Sequence, residues 1–452
     1  MSDVRTFGAV GDGTADDTTA IEHALKDGEG VVEFSLGEYR ITRTIVVDLG
    51  KVGPTALVGH GTARIIMAGA GPAFRIVGTH LKGTADPADF DPQVWKRERM
   101  PLIEGLEIVG EHDEADGLEI KGTMQLIVTR TRISGCRHAI HLTERNRNLI
   151  VSDCQIYHNR GIGIYFDHLS LHQANVVGSH ISYCGGGGVV CRGGDVRNLH
   201  IGTCDLESNH DPDGPATANV LIDCSGSPSG TAEVAITGCT IQHNSKSPDS
   251  ANIRILGRGD ERNGVRARWG QVTITGNILS DVFVNIHLQG CRDVAIAGNT
   301  LWQAFAHTLL VEDSRAIVLG ANVLDRNPAW ESGRNPTSHN AVVFRDCRDS
   351  TITGLQVQGV HHGAAGVTLE NCDRMNVTGC TLLDNDVVGL LLKNVTRSRV
   401  TQCLIRDDRP DAKSLALRAV GCRGNVIADN TFGRPVEIEN ADGLVERNWN
   451  AG

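Results

Sequence analysis

LIVSDCQIYHNRGIGIYFD (149–167) is one statement of a phrase that recurs along the chain. It is a short β-branched run, a Cys, two or three residues with an apolar one, a turn, and a second β run. The phrase returns as LHIGTCDLESN (199–209) with VLID (220–223), and as VAITGCTIQHN (234–244) with NIRIL (252–256). Three later statements are VTITGNILSDVFVNIHLQ (272–289), VAIAGNTLWQAFAHTLLVE (294–312) and MNVTGCTLLDNDVVGLLLK (375–393). Self-similarity at this spacing is the signature of a solenoid. Within each statement the apolar residues alternate. Ile164 and Phe166 point in while Tyr165 and Asp167 point out; Ile253 and Ile255 point in and Arg254 out; Ile286 and Leu288 point in and His287 out. Alternation with period two, and no long helical pattern, predicts an all-β chain: a right-handed parallel β-helix of about twelve coils with three short strands per coil.

A chain of 452 residues is too long for one compact core, but a solenoid escapes that limit by adding turns. The repeats run from about residue 101 to the end and are expected to form one domain with residues 1–80, across a polar loop at 81–100. The net charge of −11 with no basic block argues against a nucleic-acid partner. No apolar run reaches the ~20 residues of a membrane span. Residues 1–13 lack the basic and apolar regions of a signal peptide. The chain as it stands therefore reads as cytoplasmic, or as periplasmic or secreted if a signal has been removed.

The 13 Cys fall largely into columns of equal phase. One is Cys154, Cys204, Cys239, Asn277, Asn299, Asn322, Cys380, Cys403 and Asn430; a second is Cys291, Cys347, Cys372 and Cys422. Equivalent residues on successive coils stack ~4.8 Å apart. Cys fills such a stack as a small hydrophobe and Asn hydrogen-bonds the backbone at a tight bend. Free thiols are expected, and with no CxxC spacing no metal cluster.

Near the N-terminus, Asp16-Asp17-Thr18 are placed to cap a helix whose apolar face is Ala20, Ile21, Ala24 and Leu25. Strands at 31–34, 39–47, 56–61 and 63–67 follow. The opening DVRTFGAVGDGTADDTTAIEHAL (3–25), GVVEFSLGEYRIT (30–42) and LVGHGTARIIM (57–67) resembles the N-terminal module of the pectate-lyase-like superfamily. Phe7, Gly8, Gly11, Asp12, Gly13, Asp16, Asp17 and Thr18 match the pattern, while Ser35-Leu36 stand where a proline is usual. The superfamily includes family 28 glycoside hydrolases, polysaccharide lyases, C5-epimerases and phage tailspikes. The resemblance implies a carbohydrate partner and leaves the bond chemistry open. The polygalacturonase motifs NTD, GHG and RIK are absent, so no catalytic residue is carried over.

Candidate site residues come instead from the outward ladder. Tyr165, Asp167, Arg192, Asp223, Arg254 and His287 fall within six coils, with His141 just before them. The turns beside them are long and supply His210, Asp211, Asp213, His243 and Lys246, and a further insertion carries Trp330. Asp167 and Asp223, two coils or ~9–10 Å apart, suit inverting hydrolysis of a glycosidic bond, with Arg192 between them. Elimination or epimerisation on a uronate would instead use Arg192 or Arg254 against the sugar carboxylate, and Tyr165, His141 or His287 as base. No cofactor is required; Ca²⁺ would enter a lyase through Asp167, Asp223, Asp211 and Asp213. A glycan-binding tailspike or adhesin is the non-catalytic alternative. Either a monomer or a trimer accommodates such a solenoid.

Overall fold

The computed structural model describes residues 2–82, 87–227, 229–243, 247, 249–262, 264–325 and 339–450. Two compact units are present, Met1–Val234 and Ala235–Gly452.

In the first unit the helix spans Thr18–Asp27 and buries Ala20, Ile21, Ala24 and Leu25 as expected. Its capping differs from the expectation. Asp17 stands at the N-cap but turns its carboxylate to the Val10 and Gly11 N–H groups, at 2.6 and 3.1 Å. Asp16 accepts from the Thr18 N–H at 3.1 Å and from Thr42 Oγ1 at 2.7 Å, tying the helix start to the next strand. The run expected as one strand over 39–47 is two, Gly37–Ile41 and Ile45–Asp48. The segment expected as a polar loop carries a helix, Pro92–Arg97. Pro92 occupies its first turn, where a missing N–H costs nothing, and the Asp91 side chain accepts from the Gln93 N–H at 2.9 Å. Phe90 and Val94 pack on Met124 with Trp95, so this segment buries an apolar face.

From Leu102 on, parallel strands repeat coil by coil. Ile140–Ser152, Ile162–Asp167, Gly187–Arg192 and Ala218–Asp223 form one ladder. Its register pairs His141 with Tyr165, Tyr165 with Val190, Asp167 with Arg192, and Arg192 with Asp223. Ile164, Phe166, Val220 and Ile222 are all buried inside, while Asp223 keeps partial exposure. A slip of one residue would have inverted all of them.

The second unit continues the pattern on its own. Ala251–Leu256, Val282–Gln289, Ala304–Glu312 and Ala341–Arg345 pair in parallel, with Ile253, Ile255, Ile286 and Leu288 buried. The Asn column is a hydrogen-bonded stack. Asn277 donates its N–H and its Nδ2 to Asn299 Oδ1, both at 3.0 Å. Asn299 repeats this toward Asn322 Oδ1, both at 2.9 Å. Each amide also donates to a carbonyl of the preceding coil, Ile236, Ile274 and Ile296 in turn.

All 13 thiols are free and buried. The expected columns need correction in their neighbours. Ser179 intervenes between Cys154 and Cys204, and its Oγ accepts from the Cys154 N–H at 3.1 Å. Leu355 separates Asn322 from Cys380, Ser314 separates Cys291 from Cys347, and Val395 separates Cys372 from Cys422. These interlopers are small or apolar, and the stack asks only for volume where no N–H needs an acceptor.

Candidate functional site

The outward ladder of the first unit brings a set of rings and charges together. The His141 and Tyr165 rings, neighbours across one strand pair, stack at 5.1 Å with 7° between their planes. His138, just before the strand, lies 5.4 Å from both. Burial pushes the His138 imidazole down to about 4, so it is neutral. Its Nδ1 accepts from the Ile162 N–H at 3.0 Å, which leaves the proton on Nε2.

Asp167 is the hub. His141 Nε2 approaches one of its oxygens at 3.0 Å and His168 Nδ1 the other at 2.6 Å. Burial raises its pKa, but the hydrogen bonds from His168, His141 and Tyr165 outweigh burial and hold the carboxyl below its usual range. Asp167 is thus an ionised acceptor, and both imidazole nitrogens facing it carry protons. His141 Nδ1 is then the nitrogen with a lone pair. Tyr165 is pushed up to about 12, first by burial and then by the Asp167 charge, with Arg192 opposing. Its phenol keeps its proton at neutral pH. Gly193 permits the His168 position: its φ is +63°, and a Cβ there would sit 2.4 Å from the His168 ring.

The ladder closes upstream in a bidentate pair, Arg75 Nε and Nη2 donating to Glu119 at 2.8 and 3.0 Å. Downstream, Asp223 accepts from Ser225 N–H at 2.9 Å and Ser225 Oγ at 2.5 Å within a tight turn. Val190 and Leu221, on the outward register, are nonetheless buried. The turn over 208–217 folds back there: Asp211 N–H donates to the Gly185 carbonyl at 2.9 Å and Thr217 Oγ1 to the Gly186 carbonyl at 3.0 Å. His210 is buried with Nε2 3.0 Å from the Thr217 carbonyl. Asp211 and Asp213 stay exposed, and Asp211 Oδ1 accepts from the Asp213 N–H at 3.0 Å.

In the second unit, Arg254 is buried and donates to the Asp249 carbonyl, to Asp249 Oδ1 and to His287 Nδ1, at 2.8, 2.9 and 3.1 Å. His287 faces Glu312 through Nε2 at 3.2 Å. Both its nitrogens are engaged, and burial, then the Arg254 charge, lower its pKa. His243 lies 3.6 Å from Asp281. Lys246 and Trp330 lie outside the described residues. Sequence reading missed His138 and His168. Each sits at a strand end, outside the alternating positions that define the ladder, and only the fold of the turns brings them in.

Three family models match the chain. One described as right handed beta helix region covers residues 94–241. One described as periplasmic copper-binding protein (NosD) covers 227–452, half of the chain. One described as rhamnogalacturonase A/epimerase, pectate lyase-like, covers 1–85. No curated protein matches. Among solved structures, pre-mature gene product 12 of bacteriophage phi29 is 12% identical, with TM-score 0.54, over 100% of this chain and 57% of that one. The tailspike of E. coli bacteriophage HK620, in complex with pentasaccharide, is 12% identical with TM-score 0.50, over 98% and 80%. The A-module of Azotobacter vinelandii mannuronan C-5 epimerase AlgE4 is 14% identical with TM-score 0.39, over 100% of both chains.

Among the described residues, no three His, Cys, Asp or Glu side chains gather as a metal site, and the thiols are spent filling the core. The repeats, the parallel register and the three matches converge: the chain belongs to the pectate-lyase-like superfamily of right-handed parallel β-helices, its residues 227–452 falling within the NosD family.

Proposed function

We propose that the Tyr165 face binds an acidic carbohydrate chain and removes the proton beside a uronate carboxylate, leading to elimination or epimerisation. One observation carries this reading: His141 is held by an ionised Asp167 and stacked on a protonated Tyr165. A carboxylate that orients an imidazole and stabilises its cation is the arrangement a general base needs. His141 Nδ1 takes the C5 proton. The electron pair moves into the sugar carboxylate, and Arg192, paired in register with Asp167, offsets the added charge. In elimination the pair then expels the C4 oxygen, which takes the Tyr165 proton. In epimerisation water returns a proton to the opposite face of C5, because His141 and Tyr165 stack on one side of the sugar.

Inverting hydrolysis by Asp167 and Asp223 is less well supported. One of that pair must be a protonated acid; Asp167 is held in the opposite sense, and Asp223 is taken up as an acceptor of the Ser225 N–H and Oγ. Carbohydrate as the partner is also favoured by the rhamnogalacturonase A/epimerase model that matches residues 1–85 and by the HK620 tailspike's complex with pentasaccharide. The NosD family's name supports placing the protein in the periplasm.

The test is incubation with oligouronates in D₂O. The expected products are a conjugated unsaturated uronate, seen by ultraviolet absorbance, or deuterium at C5, seen by mass spectrometry. New reducing ends with neither signal would replace this reading with hydrolysis.

A further inference from the structure

A second trough runs along another face of the first unit, in the strands Ile140–Ser152, Ser170–Val177 and Asp195–Gly202. It encloses about 450 Å³ and is lined by Asn148, Gln173 and Asn198, with Ile150, Asn175 and His200 alongside. The register aligns them on three successive coils: Leu149, Ala174 and Leu199 pair, as do Ile150, Asn175 and His200. Gln125 heads the same row one coil earlier, its N–H donating to the Arg147 carbonyl. Gln125, Asn148, Gln173 and Asn198 all adopt left-handed backbone, with φ of 60, 54, 70 and 56°. Each marks a bend that makes the surface concave.

Backbone preference explains only half of this row. Asn enters the left-handed region readily because its short side chain hydrogen-bonds locally. Gln has no such advantage, yet two of the four amides are Gln. Asn148 lines the trough, and its Oδ1 receives no hydrogen bond from the protein. The lining carries no carboxylate, Lys or Arg. Of the flanking arginines, Arg147 lies over the Phe90 ring at 4.7 Å, and Arg197 donates to the Gly230 carbonyl and pairs with Asp195.

We infer that this trough is a binding site for a neutral, hydroxyl-rich sugar chain, separate from the Tyr165 face and independent of its chemistry. Amides donate and accept at once, which matches sugar hydroxyls on both counts. Rungs repeating every ~4.8 Å present one amide per step, close to the length of one pyranose ring. Ile150 gives that ring an apolar face to lie on.

The experiment is isothermal titration of the whole chain with maltohexaose, cellohexaose and chitohexaose, and with an oligogalacturonate. At least one neutral hexasaccharide is expected to bind. The double variant Gln173→Ala/Asn175→Ala should weaken it more than tenfold, with unfolding temperature unchanged. Tyr165→Phe should bind the neutral sugar like the parent. The inference is overturned if none of the three neutral sugars binds, if the double variant binds equally well, or if the double variant loses only the oligogalacturonate. Failure of the Tyr165 chemistry would leave these titrations unchanged, so the two readings are told apart.

Discussion

His141, Tyr165 and Asp167 are ordinary outward residues until their protons are placed. Asp167 accepts from both imidazoles, so its charge sets the tautomer of each. His141→Gln and Tyr165→Phe should each lower turnover on an oligouronate by about 10²–10⁴-fold, the usual share of general acid–base catalysis. Asp167→Asn should follow them, because an amide can present its NH₂ to His141 and reverse the tautomer. Asp223→Asn should leave turnover nearly unchanged; if Asp223→Asn and Asp167→Asn both abolish activity while His141→Gln does not, the paired-carboxylate hydrolase replaces this reading. His138 adds a pH dependence. Its folded pKa of about 4 lies below the unbiased 6.5, so between these values the unfolded chain binds the extra proton. Stability therefore falls as pH drops from about 6.5 toward 4. Urea midpoints across that range should show a shallower slope in His138→Gln than in the parent.

Single coils are held by their corners. Asn299 Oδ1 serves two donors on Asn277, and its Nδ2 serves the Ile274 carbonyl and Asn322. Asn299→Ala strands these groups in a site closed to water. A loss of about 2–4 kcal/mol is expected from chemical denaturation, since each buried unsatisfied group costs about 1–3 kcal/mol. Cys columns behave differently, because Cys answers a need for volume. Alkylation followed by mass spectrometry should label all 13 thiols after denaturation and few before it. A pair of unlabelled thiols after denaturation would show a disulfide and contradict the packing.

Across the molecule, coils contact mainly their sequence neighbours, so damage should stay local. Phe166 is fully buried, and Phe166→Ala is expected to cost about 3–5 kcal/mol. Hydrogen exchange should quicken in the coils at 140–143 and 187–192, which pair with its strand, more than in distant coils. Uniform quickening along the first unit would mean that it unfolds as one cooperative block.

Strand direction, inward residues and thiol burial were readable beforehand because they depend on alternation and turn chemistry, which act over a few residues. Ile164 and Phe166 could not face out without exposing the whole row. The helix at Pro92–Arg97 was not readable from a short polar stretch, since Met124, from another coil, gives Phe90 and Val94 a surface to cover. Nor were the roles on the ladder. Arg254 and His287 look as available in sequence as Arg192 and His141, yet Asp249 and Glu312 engage them. The sequence by itself determined the coil, its period and its inner face, because backbone geometry and apolar burial are local or strictly periodic. Only the tertiary structure decided which outward groups meet, since hydrogen bonds form over about 3 Å and turn lengths between coils set those distances.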